Sequence, residues 1–68
     1  MYDAVMKAAA QLIGVEPHEV YFEYGYDPDM SGEYFNVVSD VRRYPHGRVW
    51  TENRRQDFAS FEDFLRAL

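Results

Sequence analysis

The sequence predicts a single α+β domain of α-β-β-β-α order, in which two helices pack on one face of a three-stranded antiparallel sheet. Segments with apolar residues at helical spacing lie near its two ends. Between them lie three segments rich in aromatic and β-branched residues that alternate with polar ones, which is typical of strands. We expect residues 1–68 to form one domain, because so short a chain supports only one thin core.

The first helix is predicted over residues 2–13. Its apolar positions recur at helical spacing and are Tyr2, Val5, Met6, Ala9, Leu12 and Ile13. Gly14 followed by Val15 is typical of a left-handed C-terminal cap with an apolar residue behind it. Pro17 then prevents the helix from continuing.

The first two strands are predicted in "EVYFEYGY", residues 19–26, and "EYFNVVSDVRRY", residues 33–44. The four residues "YPHG", 44–47, indicate a type I turn closed by a glycine bulge, because proline is second and glycine fourth. A third strand would then run from Arg48 to Asn53. This turn predicts three cross-strand pairs, namely Tyr44 with Arg48, Arg42 with Trp50, and Asp40 with Glu52.

The last helix is predicted to be short and to begin at Ser60. Asp63, three residues later, makes this a start similar to a capping box. The helix would carry its apolar residues on one face, and these are Phe61, Phe64, Leu65 and Leu68.

Alternation assigns the strand residues to two faces of the sheet. The face under the helices is predicted to carry Phe22, Tyr24, Phe35, Val37, Val41, Val49 and Thr51. The open face is predicted to carry Tyr21, Glu23, Tyr34, Asn36, Val38, Asp40, Arg42, Tyr44, Arg48, Trp50 and Glu52. With no helix left to cover the open face, its charged and aromatic side chains favour a partner.

The net charge of -5 is unevenly distributed. Residues 1–41 contain eight acids against one base, Lys7, whereas five arginines lie between positions 42 and 55. The chain has no cysteine, no long apolar stretch and no basic start typical of a signal peptide. We expect a cytoplasmic protein with no cofactor and no membrane partner.

The stretch "DPDMSG", residues 27–32, begins like a calcium-binding loop, with Asp27, Asp29, Ser31 and Gly32 at the first, third, fifth and sixth positions. Val38 replaces the glutamate that should complete the shell, and strands are predicted where the motif needs helices. We therefore interpret the stretch as a polar hairpin turn without a metal site.

Catalytic residues are not predicted either. His18 and His46 lie at a helix-strand junction and in a turn, and no cysteine or nucleophile-elbow serine accompanies them. The predicted Asp40–Glu52 pair could raise a carboxyl pKa, but neutralisation by Arg42 or Arg54 is the simpler interpretation. We expect a protein that is not an enzyme.

Nucleic-acid binding is an alternative that depends on the arginines of the predicted hairpin. Arg42, Arg43, Arg48, Arg54 and Arg55 could contact phosphates while aromatic residues stack on bases. The element order resembles that of double-stranded-RNA-binding domains over most of the chain. Those domains begin their last helix with a lysine-rich segment, whereas "DFASFEDF" is acidic here.

Protein binding is the preferred hypothesis. In size, acidity and element order the chain resembles small phage inhibitors of the anti-CRISPR type, which implies an inhibitor that occupies a nucleic-acid site on a larger host protein. The predicted apolar anchors are Tyr34, Tyr44 and Trp50, with Arg42 and Arg48 beside them. Glu23, Asp27, Asp29, Glu33 and Asp40 would steer the chain to a basic surface by imitating a nucleic-acid backbone. A homodimer through the open face is a further alternative.

Overall fold

The computed structural model describes residues 2–29 and 32–68 and confirms the predicted α+β fold. Helix α1 spans Tyr2–Ile13 and helix α2 spans Phe61–Arg66. The strands are β1 at Tyr21–Asp27, β2 at Gly32–Arg43 and β3 at Trp50–Phe58. They form one antiparallel sheet in the order β1-β2-β3, with short 3-10 turns at Pro17–Glu19 and Pro45–Gly47.

Both helix ends predicted from local sequence are present. Gly14 adopts a φ of 71°, and the Val15 N–H donates a hydrogen bond of 3.0 Å to the carbonyl of Ala10, as a left-handed C-terminal cap requires. At the start of α2, the Ser60 hydroxyl accepts a hydrogen bond of 3.2 Å from the Asp63 N–H. Neither α1 nor α2 has the length and hydropathy needed to cross a bilayer.

The core lies between the helices and one face of the sheet. Its buried side chains are Ala9, Ala10, Ile13, Val20, Phe35, Val37 and Phe64. Phe64 of α2 is fully buried, and its ring lies 4.9 Å from that of Phe35 and 5.7 Å from that of Phe58. Small alanines on α1 and large rings on α2 therefore allow two short helices to pack close to the sheet.

The predicted register of the β2–β3 hairpin is wrong by one residue. Arg43 lies opposite Trp50, Arg42 opposite Thr51 and Val41 opposite Glu52. The connection is six residues long, Tyr44–Val49, instead of a four-residue turn. His46 and Gly47 both have a left-handed backbone, with φ of 56° and 78°, and this wider connection moves β3 along β2 by one position.

The one-residue shift exchanges the two faces of β3, because directly opposite residues share a face. Trp50 and Glu52 lie on the helix side with Arg43 and Val41, so their predicted place on the open face is wrong. Thr51 lies on the open face instead of under the helices. The assignments of β1 and β2 hold, since Phe22 pairs with the buried Val37 and Tyr21 with Val38 on the other side. Strand β3 also extends further than predicted, to Phe58.

The described chain is flat and elongated, with extents of 43 × 31 × 15 Å. Its radius of gyration is 13.7 Å, whereas a compact domain of this length has a value of about 11 Å. The cause is the unequal length of the strands, since β1 pairs with β2 only from Gly32 to Val38. Beyond Val38, β2 and β3 continue as a two-stranded arm.

Candidate functional site

The arm consists of β2 residues 39–43 and β3 residues 50–54, joined by the connection between them. We call residues Tyr44–Trp50 the arm tip. Three apolar side chains of the tip are exposed to solvent, with exposed fractions of 62% for Tyr44, 60% for Val49 and 45% for Trp50. The tip therefore presents aromatic and aliphatic surface at the end of the molecule.

Two cations accompany these apolar side chains. Arg48 belongs to the tip, and Arg42 lies on the adjoining part of β2, opposite Thr51. Both are exposed, and neither forms an ion pair with another residue of the described ranges. The predicted anchors Tyr44, Trp50, Arg42 and Arg48 thus lie at one end of the hairpin, although Arg42 and Trp50 are on opposite faces and do not form the predicted cross-strand pair.

A chain of ion pairs joins the arm to the helix layer. The Arg43 guanidinium lies 3.1 Å from the Glu19 carboxylate and 3.3 Å from that of Glu52. Glu52 also accepts from Arg54 at 2.7 Å, and Arg54 donates to the carbonyl of Ile13 at the end of α1 at 3.3 Å. We call Glu19, Arg43, Glu52 and Arg54 the brace, because they connect a two-stranded arm to the rest of the fold.

The pKa of both carboxyl groups of the brace is lowered from the ordinary value of 4.5. For Glu19 the largest cause is the hydrogen bond from the Glu16 backbone N–H, and Arg43 adds a favourable charge. For Glu52 the largest cause is the hydrogen bond from Arg54, followed by that from Arg43. Both carboxyl groups are therefore held in the charged form that the arginines need.

The five arginines considered for nucleic-acid binding are not brought together. Arg43 and Arg54 are occupied in the brace on the helix side. Arg55 lies on the open face, where it pairs with Glu23 at 3.2 Å and with Asp57 at 2.9 Å. Of the five, Arg48 belongs to the arm tip and Arg42 lies beside it on β2, so the continuous basic surface that phosphate binding uses is divided.

The open face is polar and largely paired with itself. The Tyr21 hydroxyl donates to the Asp40 carboxylate, and this hydrogen bond raises the pKa of Tyr21 above its ordinary value of 10.0. Val38, the apolar residue of this face, is only 3% exposed and lies between Tyr21 and Arg55 in the register. Because Trp50 and Tyr44 do not join it, the open face is not the aromatic surface that we predicted.

The acidic turn lies at the other end of β2. Asp27 accepts a hydrogen bond of 3.0 Å from the Asp29 N–H, which is an Asx turn, and Glu33 follows at the start of β2. The elements before and after the turn are strands, as predicted, while Ser31 of the calcium-loop pattern lies outside the described residues. Asp27, Asp29 and Glu33 form no ion pair with any other described residue.

The predicted binding residues therefore occupy two separate ends. Tyr34 lies opposite Gly25 near the acidic turn, and its hydroxyl covers the position where a Cβ of Gly25 would be. The twelve residues of β2 separate this end from the arm tip by roughly 36 Å. Glu23 and Asp40, which belonged to the predicted acidic series, are paired with Arg55 and Tyr21.

No catalytic pair is assembled from the residues considered for one. Asp40 and Glu52 lie on opposite faces of the sheet, so the predicted like-charge pair is wrong. His18 belongs to the Pro17–Glu19 turn and His46 to the arm tip, and both are exposed.

Sequence reasoning anticipated one contact of the brace, the neutralisation of Glu52 by Arg54, and missed the rest. Glu52 and Arg54, like Arg55 and Asp57, are two residues apart in β3, so each pair shares a face in any register. That spacing was available as a signal, whereas the link from Arg43 to Glu19 depends on the tertiary fold. Comparisons of the chain with known protein families, curated proteins and solved structures found no match.

Proposed function

We propose that this protein is a non-enzymatic binding protein whose arm tip occupies a surface of a larger protein. One observation supports this more than any other: Tyr44, Val49 and Trp50 are exposed beside Arg42 and Arg48, two cations that have no ion pair among the described residues. Trp, Tyr and Arg are the residues most enriched among those that dominate binding energy at protein interfaces. A monomeric domain gains no stability from leaving such rings in water.

The brace supports the same proposal through its effect on the arm. A hairpin of two strands is marginally stable by itself, yet here Arg43 and Arg54 connect it to Glu19 and to the end of α1. An arm held in one position loses little conformational entropy on binding. The tip is therefore suited to insert into a preformed cleft.

The acidic turn would have a second and separate role. Asp27, Asp29 and Glu33 are unpaired among the described residues and lie far from the tip, so they would orient the approach to a target with a basic surface. Inhibition of a nucleic-acid-handling host system, as in phage proteins of the anti-CRISPR type, is part of this proposal. It depends on these three acids, because Glu23 forms an ion pair with Arg55 and Asp40 accepts a hydrogen bond from the Tyr21 hydroxyl within the sheet.

Affinity capture with matched bait variants tests the proposal. Arg48→Ala and Arg66→Ala each remove one exposed arginine, the first from the tip and the second from α2. The two variants therefore have the same net charge as each other. Trp50→Ala and Leu68→Ala form a similar pair of exposed apolar residues, at 45% and 47% exposure. A protein recovered with wild type is then purified, and its affinity for each variant is measured by calorimetry.

The tip variants should weaken binding by at least tenfold, and the Arg66 and Leu68 variants should bind like wild type. Equal affinity for all four variants contradicts a tip-mediated interaction. Circular dichroism of each variant shows whether a lost interaction reflects the tip or an unfolded chain.

Nucleic-acid binding at the same tip is the second candidate, because Tyr44–Thr51 contains no acid to repel phosphates. It predicts a complex with single-stranded RNA or DNA whose affinity falls as salt rises. The slope should be shallow, since of the five hairpin arginines only Arg42 and Arg48 have no ion pair within residues 2–29 and 32–68. A gel-shift titration at low salt that shows no complex removes this candidate.

A further inference from the structure

The outer edge of β1 is an unpaired strand edge with an unusual composition. Within residues 2–29 and 32–68, β1 pairs with β2 on one side and with no strand on the other. Four of its seven residues are aromatic, and it contains neither proline nor a basic residue. Tyr24 and Tyr26 are 71% and 74% exposed.

The other edge of the sheet differs. Strand β3 carries Glu52, Arg54, Arg55 and Asp57, so charged side chains stand on both of its faces. Charges on an edge strand discourage further strand pairing. Strand β1 carries charges on one face only, at Glu23 and Asp27, and the residues of its other face are Phe22, Tyr24 and Tyr26. The two edges therefore predict pairing at β1 and not at β3.

We infer that β1 pairs antiparallel with β1 of a second copy of this chain, giving a two-fold symmetric dimer with one continuous six-stranded sheet. A two-fold axis between identical antiparallel strands must stand perpendicular to the sheet, which keeps the helices of both copies on the same side. In such a pair each residue lies directly opposite a residue of the same face. The two-fold axis therefore passes between one residue and its own copy, and each possible register is named by that central residue.

Charge selects among these registers. Centring on Glu23 places two copies of that carboxylate opposite each other, and centring on Gly25 places Glu23 opposite Asp27. Centring on Tyr24 avoids both contacts, since Glu23 then faces Gly25 and Asp27 faces Tyr21. It also pairs all seven residues of β1, which the other two registers do not.

The same register buries the exposed rings. On the helix side Tyr24 would lie against Tyr24 of the second copy, and Tyr26 against its Phe22. An apolar groove lined by Tyr24, Phe35 and Phe61 lies beside this edge, and the Phe35 and Phe61 rings are 5.1 Å apart. Aromatic cross-strand pairs stabilise a sheet, and here they would continue the ring cluster of the core across the dimer axis.

This inference does not depend on the proposed function. Strand β1 meets β2 only as far as Val38, so the arm extends beyond the dimer contact and both tips stay accessible. The results of the dimer experiments therefore do not decide whether the arm tip binds a partner, and the binding experiments do not decide whether the dimer forms.

Sedimentation velocity over a wide range of concentration tests the dimer. Wild type should approach twice the chain mass of 8.1 kDa as concentration rises. Tyr24→Lys, which places two cations at the axis, should stay monomeric, while Tyr44→Lys at the arm tip should dimerise like wild type. A wild type that remains monomeric at every concentration overturns the inference, as does a Tyr24→Lys variant that still dimerises while its circular dichroism shows a folded chain.

Single cysteines test the register, because the chain has none of its own. Cysteine in place of Tyr24 would lie opposite its copy, whereas cysteine in place of Tyr26 would lie four residues away from its copy, at roughly 13 Å. Under mild oxidation or with a short bismaleimide, Tyr24→Cys should form covalent dimers much faster than Tyr26→Cys. Equal rates, or a faster reaction of Tyr26→Cys, overturn the register centred on Tyr24.

Discussion

The carboxylate of Glu19 lies 3.1 Å from the guanidinium of Arg43, although 24 residues separate the two in the sequence. The Glu19 side chain is only 6% exposed, so its charge depends on that partner and on the Glu16 N–H. Arg43 stands next to the arm tip and also contacts Glu52. The position of the tip is therefore set by a pair that joins the turn after α1 to the far end of β2.

Replacing Glu19 by glutamine should destabilise the fold, because Arg43 loses one of its two charged partners while the size of the side chain is kept. The matched change is Glu62→Gln, which also neutralises one carboxylate near an arginine, but at 81% exposure and 3.7 Å from Arg66. Urea unfolding should show a clear fall in the midpoint for Glu19→Gln and almost none for Glu62→Gln. Equal midpoints for the two variants would show that the brace contributes nothing.

Acid should unfold the protein through the same groups. The pKa values of Glu19 and Glu52 are lower in the folded chain than their ordinary value of 4.5. Groups of this kind stabilise the fold fully above the unfolded pKa, and the contribution disappears as pH falls through the folded pKa. The free energy of unfolding should therefore be level near neutral pH and fall below about pH 4.5.

The double variant Glu19→Gln/Glu52→Gln isolates this contribution. It lacks both lowered carboxyl groups, so its stability should change less between neutral pH and acid than that of wild type. Urea midpoints measured at a series of pH values check the difference. A variant with the same acid dependence as wild type would place the effect in other carboxyl groups.

Much of the fold could be predicted because its signals are local. The cap at Gly14 and Val15, the N-cap at Ser60 and the alternation of β1 and β2 each depend on residues close in sequence. The β2–β3 register could not be predicted in the same way. A type I turn with a glycine bulge is what the four residues 44–47 indicate, whereas the observed connection also has His46 in the left-handed region, which a residue other than glycine rarely adopts, and the two differ by one residue in register.

The one-residue shift in the β2–β3 register limited how much of the site could be predicted. The tip residues Tyr44, Arg48 and Trp50 could be predicted from the sequence, because aromatic residues and arginines near a turn are recognised without knowing how the strands pair. The face of Trp50 was predicted wrongly, because the actual register places this residue on the helix side. The brace requires Glu19 and Arg43 to meet through the tertiary fold, which no sequence spacing shows.

Ser39 offers a stabilising change. Its side chain is 1% exposed and its hydroxyl has no hydrogen-bond partner within the described part of the chain. Since a buried hydroxyl without a partner carries a desolvation cost, Ser39→Ala should raise the free energy of unfolding by about 1 kcal/mol. Ser60→Ala, the same change at the α2 cap, should lower it by about 1 kcal/mol. Urea unfolding that shows the same sign for both contradicts the assignment of Ser39 as unsatisfied.

The position of Trp50 on the helix side raises the question of whether its ring belongs to the core or to the surface. Two alanine substitutions, at Phe64 and at Trp50, answer it. Trp50 is on the helix side, yet it is 45% exposed and lies at the end of the arm, whereas Phe64 is fully buried among the rings of Phe22, Phe35 and Phe58. Phe64→Ala should cost about 3–5 kcal/mol. A 68-residue domain has a total stability of roughly 3–10 kcal/mol, so this variant should lose at least about a third of it and unfold at a much lower urea concentration than wild type.

Trp50→Ala should behave differently, because the ring contributes only part of its surface to packing and leaves no closed cavity when removed. Its circular dichroism spectrum should remain that of the folded chain, and its urea midpoint should lie much closer to wild type than that of Phe64→Ala. A Trp50→Ala variant as unstable as Phe64→Ala would make Trp50 a core residue. The arm tip would then lose its main candidate for an apolar anchor, and the tip hypothesis would rest on Tyr44 and Val49 alone.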